Sequence, residues 1–251
     1  NEGEGIEVID EDHDEFVPEY DIFVGSYQAA NFQEGTIPYS DGGGGFVFEN
    51  GVPVVQVEER IPFALSMPNA GFTQPEEGWP ILLHSHGTGG NQFSHLSGGQ
   101  QTPAKMAAAR GFLSLGIPQP IHSDRWPGGN GVSISLYSFN YFNPDSGISM
   151  FRQGAIDTVS LLRFVTENMS GDGAIAQDHP ELRIDPDNIY FLGHSQGGIT
   201  GAMVLPWADE IKGWVLSGAG AGVSMTVMQR EDPVVIRDAM LGALDAPGTT
   251  A

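Results

Sequence analysis

No cysteine occurs in the 251 residues, which excludes disulfide staples, a thiol nucleophile and cysteine-ligated metal centres. Positive charge is scarce too. Ten Lys and Arg stand against 32 Asp and Glu, a formal net charge of −22, and such a surface repels phosphate backbones and anionic headgroups. Nucleic acid is therefore not an expected partner, and a neutral ligand is easier to accommodate than an anionic one. No apolar run reaches the roughly 18 residues of a membrane-spanning helix. Histidine is absent from the last part: all seven precede Ser195, and none lies between Gln196 and Ala251.

What is present is glycine (35 residues) and proline (17), with 40% hydrophobic and 17% charged residues. That composition describes a loop-rich globular chain, and its length suits one large α/β domain. The chain starts at Asn1 with neither an initiator Met nor a signal-peptide pattern, so an upstream segment is expected to have been removed or to be missing. The acidity reads as a solubility device, and a secreted or cell-surface setting is expected.

Residues 1–45 read as an acidic arm followed by a glycine-rich loop, Gly42 to Gly45. The cluster Asp10-Glu11-Asp12-His13-Asp14 lacks the alternating carboxylates, central Gly and terminal Glu of a calcium loop, so it reads as solvated tail. Residues 52–67 predict one or two strands bent at Pro53 and Pro62, and 79–86 a buried strand. Thr102 as N-cap, Pro103 at the first helical position and Gly111 as the stop mark a helix. A strand over 112–117 and a long loop over 118–143 follow. Ile156, Val159, Leu162 and Val165 predict a helix over 152–168. Residues 188–193, 197–205 and 211–217 read as strand, helix and strand. This alternation predicts an α/β fold with a mainly parallel sheet and helices on both faces. The core is expected over 46–222, and 223–251 to begin a lid-like insertion, helical over 223–244.

The chemistry centres on Gly193-His194-Ser195-Gln196-Gly197, a G-x-S-x-G pattern between a predicted strand and a predicted helix. A serine on so sharp a turn needs small neighbours, which Gly193 and Gly197 supply. The helix that starts there aims its N-terminal amides at the serine, where they stabilise negative charge on an attacked carbonyl oxygen. Gly198, Gly201 and Ala202 keep that helix slim for close packing on the sheet.

With this elbow the sequence resembles an α/β-hydrolase of the serine esterase and lipase type, over about residues 46–220. His84-Ser85-His86-Gly87-Thr88-Gly89-Gly90 resembles the His-Gly turn that supplies an oxyanion-hole amide in that family. The resemblance implies Ser195 as nucleophile and the backbone N–H groups of Thr88 and Gln196 as oxyanion donors. Gly193, His194, Gly197, His86 and Gly87 support them, His194 as a packing residue behind the serine. It further implies an acyl-enzyme on Ser195, a small-molecule or lipid-like ester as substrate, and no metal or organic cofactor. A peptidase, an acyltransferase or an inactive scaffold with a binding role are the alternatives.

The family order is nucleophile, then acid, then histidine, and no histidine follows Ser195 here. The sequence is therefore read as the N-terminal part of a longer protein whose last strands, acid and histidine lie beyond Ala251. An unconventional base, His122 or His95, is the other enzymatic route, and Asp232 and Asp238 are acids only if the acid follows the sixth strand. His84 and His86 share a strand face, yet no third metal ligand is near in sequence. His95, His122 and His179 read as surface or loop-anchoring residues, with His122 and Asp124 at a pocket rim. Arg152 and Asp157 are expected to pair. Trp126, Tyr137, Phe139, Tyr141 and Phe142 read as loop or core packing, or else as an apolar pocket.

Overall fold

The computed structural model of the chain describes residues 6–8, 20–69, 71–98 and 101–220, together with Gln229, Arg237 and Asp238. In chain order the strands and helices are β1 (Ile6–Val8), β2 (Tyr20–Asn31), β3 (Phe48–Glu49), β4 (Val52–Pro53), β5 (Val57–Pro68), β6 (Trp79–Ser85), α1 (Pro103–Ala108), β7 (Leu113–Ile117), α2 (Gly131–Phe139), α3 (Pro144–Asn168), α4 (Ala174–Asp178), β8 (Ile184–His194), α5 (Gln196–Val204) and β9 (Ile211–Ser217). Seven of the strands form one sheet in the order β1-β2-β5-β7-β6-β8-β9, while β3 and β4 make a separate hairpin. Strands β7, β6, β8 and β9 run parallel to one another, and β1, β2 and β5 join them as an antiparallel flank.

The central strands are covered on both faces, which is why they read as continuous apolar runs. Ile81, Leu83, Leu113, Leu115, Ile189 and Phe191 are buried. Strand parity separates the two layers. On β2, Phe23, Tyr27 and Ala29 face the main core with Leu161, Leu162, Phe164 and Val165 of α3. Tyr20 and Ile22 face the other way, onto Ala104 and Ala108 of α1. Helix α3 is entered cleanly: the Asn143 side chain accepts from Ser146 N–H and Pro144 occupies the first turn, a position that needs no amide donor.

The α/β class and the mainly parallel sheet match the expectation from sequence, and four local features differ from it. Residues 20–31, assigned to the arm, form a full strand of the main sheet. The 118–143 loop contains α2, started by a capping box between Asn130 and Ser133, and α3 begins eight residues before the expected 152. Asp157 pairs with Arg125 rather than Arg152, its Oδ2 accepting from Nη1 at 2.7 Å. Positions 152 and 157 are five apart on a helix and do not share a face. The segment 223–244 lies outside the described residues, as does most of the acidic arm.

The Arg125 cluster ties three elements together. Its Nε and Nη2 donate to the two oxygens of Glu59 on β5, at 2.6 and 2.8 Å, and Nη1 also donates to Pro118 O. Burial opposes the guanidinium charge, but Asp157 and Glu59 outweigh it and hold the group protonated. The bidentate geometry pins the segment after β7 against β5 and α3. The aromatics of this region pack on one another, Trp126 edge-on to Tyr137 and Phe139 against Phe151. Among the described residues no helix is long and apolar enough to cross a membrane.

Candidate active site

The connection leaving β6 runs to β7 on one side of the sheet, and the connection leaving β7 crosses back to β8 on the other. A crevice opens where such connections diverge, at the carboxyl ends of the strands. The two sequence motifs occupy that place: residues 86–90 follow β6, and Ser195 follows β8.

Ser195 sits between the end of β8 and the start of α5 with φ 51° and ψ −113°, a conformation that costs a residue with a Cβ. The surroundings hold it there. Its N–H donates to Ser217 O at 2.8 Å, and its carbonyl accepts from the N–H groups of Gly198 and Ile199. The bend is too tight for side chains on either flank. A Cβ on Gly193 would lie 2.4 Å from Gly197 O, and one on Gly197 would lie 2.0 Å from Ser85 O.

The β6 loop packs directly on this turn. A Cβ on Gly87 would lie 3.1 Å from Ser195 Cβ, and Gly197 N–H donates to His86 O at 3.0 Å. His86 fixes the loop from behind. Its Nε2 accepts from Gln119 N–H at 2.9 Å, so Nδ1 carries the proton and donates to Gly87 O at 2.7 Å. Gly90 N–H donates to the same carbonyl. In a trans peptide the N–H lies opposite the C=O, so Thr88 N–H points away from the His86 ring. Among the described residues neither Thr88 N–H nor Gln196 N–H has a hydrogen-bond partner.

His122 braces the loop a second time. Gly89 N–H donates to its Nε2 at 3.0 Å, and its Nδ1 donates to Pro120 O at 2.9 Å. The two rings meet edge to face, 5.0 Å apart. Burial pushes His86 down to about 3 and His122 down to about 4, so both are neutral at ordinary pH. Burial likewise pushes His84 to about 3 and His95 to about 4, with their rings 5.7 Å apart.

The structure thus brings Ser195, Gly193, Gly197, Gln196, His86, Gly87 and Thr88 together. His194 departs from expectation: it is exposed rather than packed behind the serine. His122 is an interior brace, not a rim residue, and both its nitrogens are occupied. Asp124 instead lines a cavity of about 390 Å³ with Asn31, Glu59 and Arg125. His179 lies at the surface, its Nδ1 3.2 Å from Glu181 Oε1. Among the described residues no histidine is hydrogen-bonded to Ser195, and no three His, Asp or Glu side chains gather as metal ligands. Asp232 lies outside the described residues, and Asp238 belongs to a separate compact unit, 220–251. The brace by His122 was missed from sequence; the one hint was a histidine placed soon after a buried strand end.

Strand order, the strained serine between strand and helix, and the neighbouring His-Gly loop define the α/β-hydrolase fold. Solved structures agree. The chain superimposes with a TM-score of 0.56 on an acetyl xylan esterase from Paenibacillus sp. R4, at 17% identity, covering 97% of this chain and 63% of that one. For acetyl xylan esterase 1 from Thermoanaerobacterium sp. JW/SL YS485 the TM-score is 0.51 at 14% identity, covering 98% and 63%. The likeness is one of fold, and this chain spans under two thirds of each neighbour's length. No protein-family model and no curated protein matches the sequence.

Proposed function

We propose that this chain carries the nucleophile and oxyanion hole of a serine hydrolase that cleaves neutral carboxylic esters through an acyl-enzyme on Ser195. The observation that carries the reading is the pairing of a serine held at φ 51° with two amides, Thr88 N–H and Gln196 N–H, that lie on segments packed against it and have no partner among the described residues.

Ser195 Oγ attacks the ester carbonyl and the two amides take the developing oxyanion. The alcohol leaves, and water then cleaves the acyl-serine. A base must take the serine proton and later activate the water. His86 and His122 are already committed to backbone groups, and no histidine is hydrogen-bonded to Ser195 among the described residues, so the reading places the base and its carboxylate partner outside the described residues. The net charge of −22 favours a neutral ester over an anionic one. The names of the two superimposed esterases support ester over peptide chemistry.

A fluorophosphonate probe tests this on the full-length protein. Labelling that vanishes in Ser195→Ala, together with hydrolysis of p-nitrophenyl acetate, supports the esterase. Labelling with turnover only of peptides or only of acyl-transfer acceptors would replace it by those activities, and an unlabelled, folded protein by an inactive scaffold.

A further inference from the structure

The two proposed oxyanion donors belong to segments 108 residues apart in sequence, one on a loop and one on a helix. Both must lie about 2.7–3.1 Å from the same oxygen to be useful, so their separation has to be set by something. From behind, His86 and His122 hold the peptides on either side of Thr88, through Gly87 O and Gly89 N–H. These contacts fix the loop to the β7 side of the site. From the front, the Thr88 hydroxyl donates to Gln196 Oε1 at 2.8 Å. That bond reaches across to the helix that carries the second donor.

We infer that the side chains of Thr88 and Gln196 form a clasp that sets the spacing of the two oxyanion amides, with Thr88 as its positioning residue. The inference rests on the oxyanion hole proposed above. Two properties of the pair support a role beyond packing. Threonine is branched at Cβ and has few rotamers, so anchoring its hydroxyl also restrains its own backbone. Gln196 is 1% exposed, and its Nε2 is buried with no hydrogen-bond partner among the described residues. An apolar side chain would fill that space without stranding a donor. The carboxamide is retained at a cost in stability, and what it provides is the acceptor for Thr88.

The test uses steady-state kinetics of the full-length protein on p-nitrophenyl acetate. Thr88→Val removes the hydroxyl at nearly constant volume, and Thr88→Ser keeps it. The clasp predicts that Thr88→Val lowers kcat about tenfold or more and changes KM less than about twofold. Thr88→Ser recovers most of that loss. Gln196→Met has a similar effect, and the double variant Thr88→Val/Gln196→Met loses no more than the worse single one, because both remove the same contact. Unchanged kcat in Thr88→Val, a loss that Thr88→Ser fails to recover, or additive losses would each overturn the clasp. Should Thr88→Val not fold, Gln196→Met decides alone: a kcat loss with KM held supports the clasp, and an unchanged kcat overturns it. Failure of the underlying reading looks different, since wild-type protein would then neither react with fluorophosphonate nor turn over ester.

Discussion

Gly89 N–H donates to His122 Nε2 at 3.0 Å, joining the loop after β6 to the loop after β7. An imidazole nitrogen accepts only when it carries no proton, so this contact exists only while His122 is neutral. The same holds for His86, whose Nε2 accepts from Gln119 N–H. Two neutral histidines therefore shape the loop that presents Thr88.

Stability should consequently fall with acid. Burial lowers His84 and His86 to about 3, and His95 and His122 to about 4, from an ordinary value of 6.5. Unfolding lets each take up a proton, so their contribution is fully present above pH 6.5 and is lost as pH falls from there toward about 4 for His95 and His122 and about 3 for His84 and His86. Each group removes up to about 1.4 kcal/mol per pH unit within that window. Urea unfolding between pH 7.5 and 4.5 measures the slope. In His122→Asn, which cannot titrate, the slope should be shallower by about one such increment; an identical slope would mean that His122 is not a buried neutral imidazole.

Removing the cation at Arg125 should be among the most damaging single changes. Asp157 is 1% exposed, and burial already raises its pKa despite the guanidinium beside it. Arg125→Met strands that carboxyl, with an expected loss of about 3–5 kcal/mol. Adding Asp157→Leu removes the more deeply buried of the two carboxyls that lose the guanidinium and should restore part of the loss. Urea midpoints of the two variants decide, and a double variant no more stable than the single one would contradict the assignment.

The elbow was legible in the sequence because its constraint is local. Gly193 and Gly197 are required by atoms within a few residues or on the adjacent strand end, and the apolar strand and slim helix around Ser195 announce themselves by composition. Residues 20–31 were obscured by the acidic stretch before them, although Phe23, Tyr27 and Ala29 alternate as a strand should. Helix α2 has no charged residue and little amphipathic pattern, and it forms because Asn130 and Ser133 cap it. The pairing of Arg125 with Asp157 and the bond from Gly89 to His122 link positions 32 and 33 residues apart. Contacts of that kind depend on which loops the sheet order brings together, and no spacing rule reveals them.

Gly87→Ala and Gly197→Ala should separate function from stability. At Gly87 the added methyl meets Ser195 Cβ at 3.1 Å and His194 Cδ2 at 3.2 Å, contacts that a shift of a few tenths of an ångström relieves. At Gly197 it meets Ser85 O at 2.0 Å, which is backbone and cannot yield cheaply. Gly197→Ala is expected to cost about 3 kcal/mol or more and Gly87→Ala about 1 kcal/mol. Thermal unfolding gives the order, and fluorophosphonate labelling of Gly87→Ala should slow while the protein stays folded.

Ser195 itself supplies the last prediction. Its φ of 51° with ψ −113° is a conformation that glycine adopts freely and that any residue with a Cβ adopts under strain. Serine and alanine share that strain, so Ser195→Ala should leave stability close to wild type while abolishing labelling. Ser195→Gly relieves the clash at Cβ and should be more stable than Ser195→Ala by about 1 kcal/mol, even after the added freedom of its unfolded chain is counted. Calorimetric comparison of the three proteins measures it. A glycine variant less stable than the alanine one would show that the turn around Ser195 is relaxed, and the strain that ties this position to nucleophile chemistry would then have no energetic basis.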